Sequence, residues 1–329
     1  MKPDSTLAAQ ANNIMPDSYD AILCAVKLLR EGQVIGMPTE TVYGLAADGL
    51  NAAALARIFE IKERPLFDPL ILHVVSAKEA FQLVENVPEI ARKLADRFWP
   101  GPLTLVLPKK EIVPDLATSG LPNVALRVPD HPGTLALLRS FGRPVAAPSA
   151  NKFGRISPTD AHAVYAELGD TVPLIIDGGP CAVGLESTVI DLSGEKPLLL
   201  RAGGIPLEEI EAITGPIERA TPVDDNPKAP GQLKHHYAPR KSLKLVPDVA
   251  EIPSRPDIGW LAFGAHSADF PGVTEYLSAT GDLREAAANL FRSLRKLDDN
   301  PRVTTLYAVP LPERGLGLAI NERLERAAH

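Results

Sequence analysis

The chain has 329 residues, 45% of them apolar and 5% aromatic, with a net charge of -7 at neutral pH. That length and apolar content support two domains with packed cores, while the acidic, aromatic-poor body excludes a broadly basic nucleic-acid binder, so any anion site must be a local cationic pocket. Cys24 and Cys181 alone make no disulfide framework, which fits a reduced cytoplasmic setting, and no run approaches the roughly 18 apolar residues of a membrane span, so no membrane partner is expected.

Residues 1–14 lack the charged-then-apolar pattern of a secretory signal and are expected to form an N-terminal tail. Asp17 and Ser18 then precede a helical pattern, Tyr19 to Arg30, that stops at Gly32, and Gln33 to Met37 reads as a strand. Asn51 caps a second helix, Ala52 to Lys62, ended by Pro65. Leu70 to Val75 is an apolar run with the character of a strand buried on both faces. Helices follow at 77–86 and 88–98, strands near 103–108 and 124–128, a helix near 132–140 and a strand from Pro144 to Ala147. A helix at 159–168, strands at 173–177, 187–192 and 197–201, and a helix after Pro206 complete a first α/β domain over 15–214 with a parallel or mixed sheet. Residues 215–242 are proline-rich and read as an irregular linker. The pattern restarts over 243–329, with strands near 243–246, 258–263 and 303–309 and helices at 282–297 and 316–328, a second, smaller α/β domain.

Several residues are candidates for chemistry, and each has an ordinary structural alternative. Lys62 and Arg64 close the second helix, where the dipole favours cations whether or not a phosphate is bound. His73 stands inside an apolar strand, the usual setting of a hydrogen-bonded core imidazole. Thr39 and Thr41 follow a strand end and can satisfy turn backbone groups. Ser149 and Asn151 follow the strand Val145 to Ala147, where ligands of open α/β sheets collect, and Arg201 holds a similar place before Gly203 and Gly204, glycines that would let a ligand approach the backbone. Arg127 is a charge within an apolar strand, and its partner is either a structural acid or a substrate carboxylate. No P-loop, dinucleotide fingerprint, nucleophile elbow or metal-ligand spacing is present, so no protein metal site and no covalent nucleophile are expected.

In order, these segments resemble the YrdC/Sua5 family over nearly the whole chain. Pro38 to Leu45 is similar to its first substrate loop, and Lys62-Glu63-Arg64 with Ser149-Ala150-Asn151 to its KxR and SxN signature. Arg127 to His131, Gly184 to Asp191 and Leu198 to Gly203 match further blocks. Pro230-Gly231 with His236 to Pro239, and Gly315 to Ile320 near the end, resemble the linker and C-terminal domain of the longer Sua5 type. The resemblance implies a YrdC-like twisted sheet with an open concave site plus a Rossmann-like C-terminal domain. It also implies L-threonylcarbamoyladenylate synthesis: L-threonine, bicarbonate and ATP give threonylcarbamoyl-AMP and pyrophosphate, which feeds a downstream tRNA threonylcarbamoyl-transfer machinery, with weak tRNA contact as an open question.

By the same resemblance Thr41, His73, Arg127, the Ala147 backbone and Ser187 hold threonine and its carbamate. Lys62, Arg64, Asn123, Ser149, Asn151, Ser157 and Arg201 hold the nucleotide, with Mg2+ on the triphosphate. Asp68 stands where many relatives carry asparagine; as a carboxylate it would act on the phosphates through metal or water. The linker is expected to close over the pocket as a lid, with His235 or Tyr237 reaching the nucleotide. Two other readings stay open: a non-catalytic double-stranded RNA or tRNA binder, against which the charge counts, and an O-carbamoyltransferase module, whose usual extra domains have no counterpart here.

Overall fold

The computed structural model of the protein describes residues 13–221, 236–265 and 269–328. Strands β1 (Ile14–Pro16), β2 (Ile35–Met37), β3 (Gly44–Asp48), β4 (Ile71–His73), β5 (Leu103–Pro108), β6 (Asn123–Arg127), β7 (Val145–Ala146), β8 (Ile175–Asp177), β9 (Thr188–Asp191), β10 (Leu198–Arg201) and β11 (Glu218–Arg219) form one mixed sheet. Their spatial order is β1-β8-β2-β3-β7-β4-β6-β5-β9-β10-β11. Helices α1 (Tyr19–Arg30), α2 (Ala52–Lys62), α3 (Ala77–Gln82), α4 (Glu89–Phe98), α5 (Asp115–Thr118), α6 (Pro132–Phe141), α7 (Ala161–Leu168) and α8 (Leu207–Thr214) belong to the same domain. The second domain is a fully parallel sheet, β12 (Ser242–Leu245), β15 (Thr305–Ala308), β13 (Ile258–Phe263) and β14 (Val273–Ser278) in that spatial order, with α9 (Leu283–Asp299) and α10 (Gly317–Ala327).

Local sequence explains the elements that set up the site. Ser18 caps α1 through the Ala21 amide, and Asn51 caps α2 through the Ala53 and Ala54 amides. The apolar run of β4 lies between β6 and β7 with every residue buried, as its lack of alternation requires. Helix α2 ends at Glu63 in a left-handed conformation (φ 55°), which turns the chain into the Arg64–Pro69 loop.

Four strands lie outside the sequence expectation. β3 occupies Gly44 to Asp48, part of it read as a substrate loop; two alanines and a glycine give it weak strand propensity, and pairing on both sides with β2 and β7 supplies what propensity does not. β1 begins at Ile14, within the expected tail, because it pairs with β8, and β11 falls within the expected linker because it pairs with β10. β14 forms the edge of the second sheet, beside β13 alone.

The two domains share a buried seam. Val42, Ile156, Leu185, Ala202 and Tyr237 belong to one apolar cluster with Leu290, Phe291 and Leu294 of α9 and Ile320 and Leu324 of α10. At Gly184 (φ 72°) a Cβ would stand 2.5 Å from Ala288 Cα and 2.6 Å from Ala287 O, so only glycine lets this loop meet the α9 backbone. Gly184→Ala is therefore expected to cost about 1–3 kcal/mol and to loosen domain docking. Calorimetry and hydrogen exchange of α9 read this directly, and an unchanged melting temperature would show the seam to be more compliant than its backbone contacts imply.

Candidate active site

A cleft with about 480 Å³ of empty space lies across one face of the large sheet. His73, at the end of β4, is in register with Arg127, at the end of β6. Strand alternation puts Ile71 and His73 on the same face as Ala125 and Arg127, and all but Ala125 line the cleft. Because β7 runs antiparallel to β4, its exit at Ala147 and Ser149 folds back beside the start of β4 rather than beyond its end. The ligand region thus lies over the sheet face, not beyond the carboxyl ends of the strands. Ser187 and Arg201 border it from β9 and β10, and Thr41, Val42, Arg64, Glu186, His236 and Tyr237 complete the lining.

Each cation is held from behind by oxygen. Arg127 donates through Nε to Gly101 O (3.3 Å), through Nη1 to Thr41 Oγ1 (2.9 Å) and through Nη2 to Glu40 Oε1 (2.5 Å). A structural acid is thus present, and of the five guanidinium N–H groups two remain for a substrate. Thr41 Oγ1 also meets Thr39 Oγ1 at 2.8 Å. Arg201 donates to Ser187 O through Nε (3.1 Å) and Nη2 (2.9 Å), while Ser187 Oγ meets Thr104 Oγ1 at 2.7 Å. Arg64 donates through Nε to Asp68 O (3.0 Å) and through Nη2 to Pro69 O (2.9 Å).

Asp68 departs from expectation. It is fully buried, with Oδ2 2.8 Å from Arg64 Nη2, close enough for an ion pair though out of line for a hydrogen bond. Burial pushes its carboxyl up, against the opposing pull of Arg64. The carboxylate sits under the arginine because the tight Pro65–Pro69 turn closes the loop onto the helix end.

Three other residues also face inward. Lys62 does not line the cleft; its Nζ donates to Ser149 O at 2.5 Å and to Asn151 O, pinning the turn that presents Ser149. Burial, then the neighbouring Arg64, lowers its ammonium well below the ordinary lysine value. Asn151 is buried and donates to Lys152 O (2.7 Å) and Arg155 O (2.9 Å), and Ser157 donates to Glu186 Oε1 (2.7 Å). Asn123 shares the face of Arg127 four residues back along β6, about 13 Å away in extended chain, and bonds Ser193 Oγ at 3.0 Å outside the cleft. Ala147 uses its amide on Ile71 O (3.1 Å), leaving its carbonyl for any substrate contact.

Both imidazoles of the site are neutral. Burial, with Arg127 adding repulsion, takes His73 down to about 3, and burial takes His236 down to about 3. Their Nδ1 atoms have no hydrogen-bond partner among the described residues. His235 lies outside the described residues, whereas Tyr237 is buried (φ 66°), packs edge-on to His236 and stacks on Phe291 of α9. The glycines after Arg201 serve the protein's own packing: a Cβ on Gly203 would lie 2.3 Å from Ser187 C, so its absence admits the 186–188 backbone, not a ligand.

Sequence reading passed over Glu40, Glu186 and His236 as individual residues, although all three stand inside segments that carried the resemblance. Arg323, which contacts Glu186 from the second domain, offered no signal among the alternating charges of the last helix.

These features define an α/β protein with a cationic, anion-receptive cleft on a mixed sheet, with a second domain packed behind Val42 and Tyr237 of its lining. The chain belongs to the Sua5/YciO/YrdC family: residues 27–203 match that family's model, described as "Telomere recombination", and residues 205–329 match the model of the threonylcarbamoyl-AMP synthase C-terminal domain. It is 44% identical to threonylcarbamoyl-AMP synthase of Pyrococcus abyssi, covering 93% of this chain and 94% of that one, and 41% identical to that of Bacillus subtilis, covering 92% of each. The crystal structure of P. abyssi Sua5 complexed with L-threonine superposes with a TM-score of 0.88 at 41% identity, over 96% of both chains. Escherichia coli YciO matches with a TM-score of 0.52 at 27% identity over 58% of this chain and 94% of that one.

The buried Arg64–Asp68 pair generates a direct expectation. Asp68→Asn removes the charge under Arg64 and is expected to destabilise the protein by about 3 kcal/mol, with weakened binding of a nucleotide triphosphate. Thermal melts and calorimetric titration with ATP measure both effects. Wild-type stability and affinity would return Asp68 to a solvent- or metal-linked role.

Proposed function

We propose that this protein is an L-threonylcarbamoyladenylate synthase, condensing L-threonine, bicarbonate and ATP to threonylcarbamoyl-AMP and pyrophosphate. The observation that carries the reading is one cleft whose lining, taken by position along β4 about Ile71, we divide into two chemically distinct halves. One half offers Thr41, neutral His73, Arg127 and Ser187; the other offers Arg64, Ser149 and His236. A small zwitterion suits the first half, where hydroxyls and two free guanidinium N–H groups meet a carboxylate. An extended polyanion suits the second, and reaching Asn123 would require it to run along the sheet face. Membership of a family whose relatives carry this name over nearly their full length supports the same assignment.

The reaction needs little from side chains beyond alignment. The threonine amine and bicarbonate form a carbamate with loss of water, and a carbamate oxygen then attacks the α-phosphorus as pyrophosphate leaves. An unprotonated His73 adds no positive charge beside the amine and can meet it only through hydrogen bonding. Arg64 and Arg201, both lining the cleft, are the cations that would meet charge accumulating on phosphate oxygens. His236 and Tyr237, at the end of the linker, narrow the cleft and help exclude water from a labile mixed anhydride.

Mg2+ would enter with the triphosphate and supply charge neutralisation there. Among the described residues no cluster of three or more His, Cys, Asp or Glu is placed to hold a metal, and the nearest carboxylates are committed, Asp68 to Arg64 and Glu186 to Arg323. The fit is therefore to a nucleotide-borne ion. No described helix is long and apolar enough to cross a membrane. The product would supply the t6A modification of tRNA through a separate transfer machinery, in the cytoplasm, where ATP and tRNA meet.

Pyrophosphate release, measured with threonine, bicarbonate and ATP omitted in turn, tests the reading. Release is expected only with all three present. Release from ATP alone, or salt-sensitive RNA binding without turnover, would overturn it.

A further inference from the structure

Arg323 of α10 has no solvent exposure, a costly setting for a guanidinium unless its surroundings satisfy it. Beyond long contacts with Ala319 O (3.4 Å) and Glu322 Oε2 (3.6 Å) of its own helix, its nearer partners belong to the other domain and the linker end. Nε donates to Glu186 Oε2 at 3.1 Å, and Nη2 lies 3.0 Å from the same oxygen, off hydrogen-bond alignment but within ion-pair range. Nη1 donates to Ala202 O at 2.5 Å, and the guanidinium carbon stands 5.4 Å from the centroid of the Tyr237 ring.

Glu186 and Ala202 are the immediate neighbours of Ser187 and Arg201, two residues of the cleft. Glu186 is itself tied further, with Oε1 accepting from Ser157 (2.7 Å) and its carbonyl accepting from Gly204 N (3.0 Å). Burial raises the Glu186 carboxyl, but Arg323 and then Arg201 outweigh it and keep the group ionised. One guanidinium thus bridges the two segments that carry Ser187 and Arg201, at the point where domain docking meets the cleft.

We propose that Arg323 is a positioning residue: it transmits docking of the C-terminal domain into the cleft by fixing Glu186 and Ala202, and with them the Ser187–Arg201 pair. As a statement about catalysis this rests on the functional reading above; as a statement about structure it stands independently. Removing the guanidinium leaves Glu186 charged and buried without its partner, so the 185–205 region loosens although Arg323 lies outside the cleft lining. Removing both charges together relieves that penalty.

The test compares Arg323→Gln, Glu186→Gln and the double variant with Arg284→Gln, which cuts an exposed ion pair with Glu209 across the same seam. Hydrogen exchange over residues 185–205 and steady-state pyrophosphate release are measured on the full chain. Arg323→Gln is expected to speed exchange there at least tenfold and to lower kcat/KM for ATP at least tenfold, with Arg284→Gln unchanged in both. The double variant should lose less than the product of the single losses. If Arg323→Gln does not fold, Glu186→Gln, which keeps an acceptor for Ser157, carries the same expectation. Wild-type exchange in a folded Arg323→Gln protein, activity within twofold of wild type, or multiplicative losses in the double would overturn the proposal. Absence of pyrophosphate release from the wild type would defeat the functional reading alone, and exchange would still decide the role of Arg323.

Discussion

A guanidinium facing a cleft in a largely apolar sheet must be held by oxygen behind it, and the first domain is organised around that constraint. Arg127 leans on Glu40, Thr41 and Gly101 O, Arg64 on Asp68 and Pro69 O, and Arg201 on Ser187. With Glu186 at the cleft and its partner Arg323 included, four guanidinium groups face the three carboxylates of Glu40, Asp68 and Glu186, so the site stays net cationic while the body as a whole carries -7. Isolated charges of this kind would be unaffordable in the interior. Backbone carbonyls supplied by loops and strand ends make them tolerable, and the loops are shaped to deliver those carbonyls.

The same constraint explains which parts were legible in the sequence. Long periodic elements such as α1, α2 and α9 and the apolar run of β4 follow from pattern and capping alone. β3 does not, because its alanines and glycine carry weak strand preference and its pairing partners lie far off in sequence. Motifs located the site, yet they could not say which way a side chain points. Lys62 and Asn151 look like ligand contacts in one dimension, whereas in the fold Lys62 holds the Ser149 and Asn151 carbonyls and the Asn151 amide holds those of Lys152 and Arg155. Asp68 reads as a charge beside phosphate until the Pro65–Pro69 turn folds it beneath Arg64. The glycines after Arg201 read as room for a ligand and are room for the 186–188 backbone.

The elements of the second domain other than β14 were legible in the sequence, but where they dock was not. Its parallel sheet is ordinary, and it places α9 and α10 against Val42, Leu185, Ala202 and Tyr237. The last linker residues are caught between the two domains, with Tyr237 stacked on Phe291 and beneath Arg323. The linker end, the Glu186 loop and α10 therefore form one buried unit, and His236 and Tyr237 of that unit line the cleft.

Division of the cleft into a threonine half at Arg127 and a nucleotide half at Arg64 is the central claim, and calorimetric titration of folded Arg127→Ala and Arg64→Ala variants tests it most directly. Arg127→Ala should weaken L-threonine binding by about 2–5 kcal/mol and ATP binding far less, and Arg64→Ala should do the reverse. Equal loss of both ligands in both variants, or wild-type threonine affinity in Arg127→Ala, would contradict the division.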